Sequence, residues 1–189
     1  TELIKASTDE DGVISEESFI SVVLPSLLES KLIDSEDVTH SYFENKTEKI
    51  KVNGYNINES GERLQLFLVD ESSLNLKADT SELMISQKQR YSDQFARTSK
   101  FVQKAIKRHL NDQIQDSSSA GLLLSHLGTS EGLNQFDVVE VFLLTASATV
   151  ETRGAEPQPK RFSFDDEEIE VSFVHNRTEC EKSILVIKR

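Results

Sequence analysis

Tryptophan is absent, cysteine and methionine occur once each, and only three prolines and seven glycines punctuate 189 residues. The lone Cys180 excludes an internal disulfide framework, and one cysteine with four scattered histidines excludes an ordinary structural zinc site. Positive charge is the scarcer sign: 21 Lys+Arg stand against 33 Asp+Glu, for a net charge of -12 and a pI near 4.8. That balance argues against a surface coated by nucleic acid or anionic lipid, although a local basic patch is compatible with it. No apolar run reaches about 18 residues, so no segment reads as membrane-spanning. No basic start followed by an apolar signal region is visible either. The first residue is Thr1, and an apolar run over 184–187 stops at Lys188-Arg189. These ends read as those of a piece of a longer, cytoplasmic protein, whose missing C-terminal part is then the first expected partner.

What is present suffices for a core. Apolar residues make up 37% of the chain, with 10 Phe, and a chain this long buries roughly 70% of its unfolded surface without a staple. Residues 1–14 are polar and read as a flexible segment, leaving 15–189 as one domain. The spacing of Ile20, Val23, Leu24, Leu27, Leu28 and Leu32 predicts a helix over 16–33, with Ser15 as N-cap and Pro25 kinking or splitting it. A short extended segment is expected at Ser41-Tyr42-Phe43. Residues 49–57 read as a strand with Ile50 and Val52 on one face. Past an irregularity at Asn53-Gly54, Tyr55 and Ile57 are expected on the other. Glu59-Ser60-Gly61 signals a turn, and 63–69 reads as a strand with Leu64, Leu66 and Leu68 on one face. A weaker strand is expected over 73–77.

A long helix is expected over 81–115, its apolar arc formed by Met84, Tyr91, Phe95, Thr98, Val102, Ala105, Ile106 and His109. Ser117-Ser118-Ser119 caps a shorter helix over 120–127, ended by Gly128. Residues 138–144 form the nearly continuous apolar run of a strand buried on both faces, interrupted only by Glu140. A long loop over 147–164, an alternating strand over 168–174 and a helical tail after Asn176 complete the pattern. The order implies an α/β fold with a mixed β-sheet flanked by helices.

That αβββαβ order resembles the restriction-endonuclease-like, PD-(D/E)xK core. Such a site needs a carboxylate on the second strand, and a carboxylate and a lysine two apart on the third, to hold a divalent cation that activates water. Here Asn53 stands on the second strand. The third reads Glu62-Arg63-Leu64-Gln65-Leu66-Phe67 without an acidic-x-Lys pair, and the nearest imitation is Asn75-Leu76-Lys77. The site reads as degenerate, with no catalytic residue, no metal ligand set and no cofactor. The acidic run Asp165-Asp166-Glu167-Glu168 with Glu170 reads as a solvated strand edge. Cys180, flanked by carboxylates, is poorly placed for a thiolate, and His109 reads as packed. Arg90, Arg97, Lys100, Lys104, Lys107 and Arg108 recur along the long helix opposite its apolar arc. They make a candidate nucleic-acid face, or else a helix exterior that pairs with the acidic remainder.

Two stretches carry a family resemblance. Ile50-Lys51-Val52-Asn53-Gly54-Tyr55-Asn56, followed by Arg63-Leu64-Gln65-Leu66-Phe67-Leu68-Val69-Asp70, resembles the N-terminal region of the AIPR (abortive infection phage resistance) proteins of bacteria. A helix around 95–101 and the strand Val139-Glu140-Val141-Phe142-Leu143-Leu144-Thr145 extend the likeness over about 16–189. Asn53 departs from the usual Asp of an aspartate-glycine-tyrosine motif, and His175-Asn176 stands where a tryptophan-aspartate pair often begins the last helix. The resemblance implies antiviral defence, with this chain as the N-terminal domain of a longer protein, and the leading reading is a non-catalytic recognition or regulatory domain. A nucleic-acid-binding module or a metal-dependent nuclease of the restriction-endonuclease-like type is one alternative, and a protein-interaction domain docking on a downstream effector domain is another.

Overall fold

A computed structural model describes residues 14–74, 84–86, 88–149, 160–164, 167–172 and 181–187, with side chains over 14–74 and 90–146. Helix α1 (Glu16–Glu29) begins where Ser15 caps it, its hydroxyl accepting the Ser18 N–H at 3.1 Å. The helix runs through Pro25 unbroken. It stops short of the expected Ile33 because Lys31 adopts φ 56°. The Lys31 N–H then bonds Leu28 O and the Leu32 N–H bonds Leu27 O, a left-handed cap made without glycine.

Three strands follow: β1 (Thr39–Asn45), β2 (Ile50–Ile57) and β3 (Arg63–Val69). β1 is longer than the three residues expected. The hairpin between β2 and β3 turns at Gly61, whose φ of 77° suits glycine. The Asn58 side chain accepts the Arg63 N–H across the same turn. A 3-10 turn (Glu71–Ser73) ends at the first residue of the weak strand expected over 73–77, of which 75–77 lie outside the described residues.

The long helix is shorter than its apolar arc suggests. Met84 sits in a short strand, β4 (Met84–Ser86), and α2 spans Lys88–Ile106. Arg108, at φ 59°, ends α2 by the same left-handed device, with Arg108 N–H on Ala105 O and His109 N–H on Lys104 O. His109 is therefore exposed past the helix end rather than packed. Ser118 caps α3 (Ser119–Gly128) as expected, and Thr129 caps the short α4 (Ser130–Asn134). Strand β5 (Val138–Leu144) is buried almost throughout. The loop expected over 147–164 instead holds β6 (Ser147–Thr149) and β7 (Lys160–Phe164). β8 (Glu167–Ser172) follows, and the tail forms a strand, β9 (Glu181–Ile187), rather than a helix.

One seven-stranded sheet carries the order β1-β2-β3-β5-β9-β8-β7, and β4 pairs with β6 separately. β3 and β5 run parallel, Phe67 opposite Phe142, while the other pairs of the large sheet are antiparallel. The fold is thus the α/β, mixed-sheet architecture expected, and the αβββαβ order is present with short elements inserted. The acidic strand β8 is an inner strand, with β7 as the edge.

Cores form on both faces of the sheet. Under α2 and α3, Leu64, Leu66 and Leu68 meet Phe95, Phe101, Val102, Leu123 and Leu127. Under α1, Phe67 and Phe142 stack with centroids 5.4 Å apart, beside Phe19, Ile20 and Leu27. Ile14, placed by sequence in the flexible segment, is buried in this second core. Ile50, Val52 and Tyr55 all belong to the first core and Ile57 packs against it, so they share one core rather than two faces. A bulge on β1 lies beside them: His40 pairs with Gly54 but Phe43 with Val52, which puts Ser41-Tyr42 opposite Asn53. Gly54 belongs at this crossing because a Cβ there would sit 3.1 Å from Thr39 O.

Candidate functional site

Ligands of open α/β sheets bind beyond the carboxyl ends of the parallel strands. In this chain that place is the end of β3 beside β5, where the chain concentrates buried charge. Lys51, on β2, points to the α1 side of the sheet, and its side chain is 1% exposed. Its Nζ lies 2.8 Å from Glu16 Oε2, 2.7 Å from Glu71 Oε2 and 3.3 Å from Val69 O. An ammonium has three N–H donors, and here three oxygens from three elements answer them. Asn53, two residues along β2, uses both ends of its amide. Its Oδ1 accepts the Val69 N–H at 2.9 Å, and its Nδ2 donates to Glu16 Oε2.

Arg97 of α2 closes the cluster on its other side. It pairs with Glu44 of β1, with Glu71 at 3.3 Å and with Gln94 at 2.9 Å. Next to it, the fully buried Asp70 carboxylate accepts from Arg90 Nη2 at 3.0 Å, Ser72 Oγ at 2.7 Å and Thr145 Oγ1 at 3.3 Å. Thr145 follows β5, so Asp70 ties the carboxyl ends of the two parallel strands together.

The electrostatics follow from this geometry. Burial pushes the Glu71 carboxyl up, but its hydrogen bond from Lys51 and the charges of Lys51 and Arg97 outweigh that and hold it below the usual carboxylate range. The Tyr42 hydroxyl donates to Glu44 at 3.0 Å. Partial desolvation, that hydrogen bond and the charges of Glu44, Glu16 and Glu71 push its pKa up to about 12. Its ring stays exposed at the bulge, with Lys51 Nζ 6.0 Å from its centroid.

Three residues of the basic stripe, Arg90, Arg97 and Lys104, pair with carboxylates of the chain, while Lys100, Lys107 and Arg108 are exposed. Arg90 and Arg97 belong to the cluster just described. Lys104 Nζ pairs with Glu48 at 2.7 Å, and that contact, the first of several, holds the Glu48 carboxyl below its ordinary range. Lys100 donates to Glu48 O at 2.7 Å and Arg108 to Gly128 O at 2.6 Å. Lys107 is exposed on the turn after α2.

Elsewhere, buried Glu140 on β5 pairs with Arg63 at 2.5 Å and accepts from Gln65 at 2.9 Å. The half-buried His126 ring packs edge-on to Tyr55 and Phe136. Asn75, Lys77, His175 and Cys180 lie outside the described residues. Among the described residues no three His, Cys, Asp or Glu gather as a metal ligand set, and no helix is long and apolar enough to cross a membrane.

Of the residues at this place, sequence alone singled out Asn53, Arg90 and Arg97, and it missed Lys51, Glu16, Asp70 and Glu71. Alternation with Ile50 and Val52 marks Lys51 as solvent-facing in a one-sided sheet. The signal available was the fold class: helices on both faces bury both sets of β2 residues.

No curated protein and no solved structure matches the chain. A family profile described as the N-terminal domain of abortive infection phage resistance protein matches residues 19–174, which takes in most of α1 and all of the β2–β3 hairpin, α2 and β5. The chain belongs to the family of abortive infection phage resistance protein N-terminal domains.

Proposed function

We propose that the chain is a non-catalytic recognition or regulatory domain of a bacterial phage-resistance protein and that it docks on the part of that protein which follows it. One observation carries the reading: the carboxylates at the carboxyl end of β3 are engaged within the chain. Glu16 and Glu71 are taken up by Lys51, Asp70 by Arg90 and Glu44 by Arg97. A hydrolytic metal site needs carboxylates turned toward an open coordination position. Here the second-strand position holds an amide, and both ends of that amide are occupied. The test is incubation of the chain with plasmid DNA and Mg²⁺ or Mn²⁺ at stoichiometric protein. Intact DNA is expected, and cutting overturns the reading.

A second reading, nucleic-acid binding through the α2 stripe, draws on Lys100 and Arg108. Their described bonds go to backbone carbonyls rather than carboxylates. It requires salt-sensitive binding to DNA or RNA that Lys100→Glu weakens. A flat titration at about 50 mM salt, where phosphate contacts are strongest, removes it.

A further inference from the structure

We propose that the Lys51 ammonium is the resident cation of an oxygen cage, holding Glu16 and Glu71 together at the point where a free divalent ion would otherwise be needed. The proposal goes beyond the non-catalytic reading, because it concerns what holds this place together rather than what the domain recognises.

Three features support it. The ligands of Nζ are all oxygen: two carboxylates and the Val69 carbonyl, brought together from α1, the turn after β3 and β3 itself. Carboxylates and backbone carbonyls are the donors that hard divalent cations take. Both Oε2 atoms lie within 2.8 Å of one nitrogen, and a contraction of a few tenths of an ångström brings them to the roughly 2.3–2.6 Å of calcium ligands. The charge also fits. Two carboxylates, Glu16 and Glu71, face the single Lys51 ammonium, and Arg97, shared between Glu71 and Glu44, adds positive charge beside them. Asn53 reaches the same carboxylate as a neutral amide and adds no third negative charge. Finally, the ammonium is enclosed, since a side chain 1% exposed leaves water no place among its ligands. A tethered cation in such a cage cannot be removed by chelation.

The test replaces the charge and keeps the stem. Thermal unfolding of the wild type and of Lys51→Met is compared in EDTA and in millimolar Ca²⁺, Mg²⁺ or Mn²⁺ at constant ionic strength. The wild type is expected to keep one Tm throughout. Lys51→Met is expected to unfold lower in EDTA and to regain roughly 5 °C with a divalent ion, the shift a ligand near a hundred times its Kd gives a chain this size. Adding Glu16→Gln and Glu71→Gln to Lys51→Met should abolish the gain. Three results overturn the proposal: no cation-dependent gain in folded Lys51→Met, an equal gain in the wild type, or a gain that survives loss of both carboxylates. If Lys51→Met does not fold in EDTA, refolding is repeated with Ca²⁺. Recovery of the wild-type circular dichroism only with the ion supports the cage, and failure under both conditions overturns it.

Discussion

Lys51 Nζ, on β2, lies 2.7 Å from Glu71 Oε2, two residues past the end of β3, and the lysine is the far more buried partner. The Glu71 side chain is 42% exposed and Glu16 24%. The two ways of breaking this contact are therefore unequal. Losing Lys51 leaves carboxylates that water can reach. Losing both carboxylates leaves an ammonium that water cannot reach. Glu16→Gln with Glu71→Gln should cost about 3–5 kcal/mol, as for a stranded buried charge, and Lys51→Met only about 1–2 kcal/mol. Urea unfolding of the two variants checks the order, and the reverse order would show that the ammonium is hydrated.

Acid should loosen the same contact. The folded-state pKa of Glu71 lies below its ordinary value of 4.5. Its contribution is thus complete above that value and is lost as pH falls through the lowered one. Glu48, held down by Lys104, adds to the same limb. Glu71→Gln should be less stable than wild type at neutral pH, and the difference should shrink below pH 4.5. A difference that is constant across that range would mean the carboxyl titrates alike in both states.

Asn53 requires an amide. An Asp there keeps an acceptor for the Val69 N–H but turns a second carboxylate toward Glu16. Asn53→Asp should lose about 1–3 kcal/mol at neutral pH and recover part of it in mild acid, where one of the facing carboxyls takes a proton. Asn53→Ala should lose stability without that pH dependence. The paired pH profiles separate lost hydrogen bonds from added charge.

Much of this fold is legible in the residues, and the failures share physical causes. The starts of α1 and α3 were legible because Ser15 and Ser118 cap through their side chains, a local chemistry written at one position, whereas α2 begins at Lys88 without such a signal. The ends of α1 and α2 were not: Lys31 and Arg108 take a left-handed conformation that no residue-type signal marks, whereas Gly128 marks the end of α3. The nearly continuous apolar run at Val138–Leu144, broken only by Glu140, identified the central strand, because burial on both faces leaves no polar alternation. The same two-sided burial hid Lys51, which reads as an outward residue until α1 covers it. β9, rich in β-branched residues, reads as a helix in the sequence because β5, the strand that draws it into the sheet centre, lies far away in sequence.

The left-handed caps can be tested individually. Lys31 holds φ 56° with an exposed side chain. Lys31→Gly removes the conformational penalty of roughly 1–2 kcal/mol, at about 0.5–1 kcal/mol of unfolded-state entropy. A net stabilisation of about 0.5–1 kcal/mol is expected from that difference. Arg108→Gly should show no such gain, because it also removes the 2.6 Å bond from Arg108 Nε to Gly128 O, which ties the end of α2 to the end of α3. Chemical denaturation of both variants settles the contrast, and equal gains would mean that bond contributes nothing.

The family match ends at residue 174, but the sheet does not. β9 begins at Glu181 and lies between β5 and β8, with Val139 opposite Leu185 on one side and Leu185 opposite Val171 on the other. A chain cut after residue 174 loses the only described link between β7–β8 and the strands that carry the Lys51 cluster. It also leaves the apolar strand β5 with an unpaired edge, the arrangement that templates aggregation. The shortened chain should elute as aggregate in size-exclusion chromatography, whereas a chain ending at residue 189 should not. Supplying 175–189 as a separate peptide should recover soluble material in proportion to its binding. A soluble, cooperatively folded 1–174 would instead place β9 outside the folding unit.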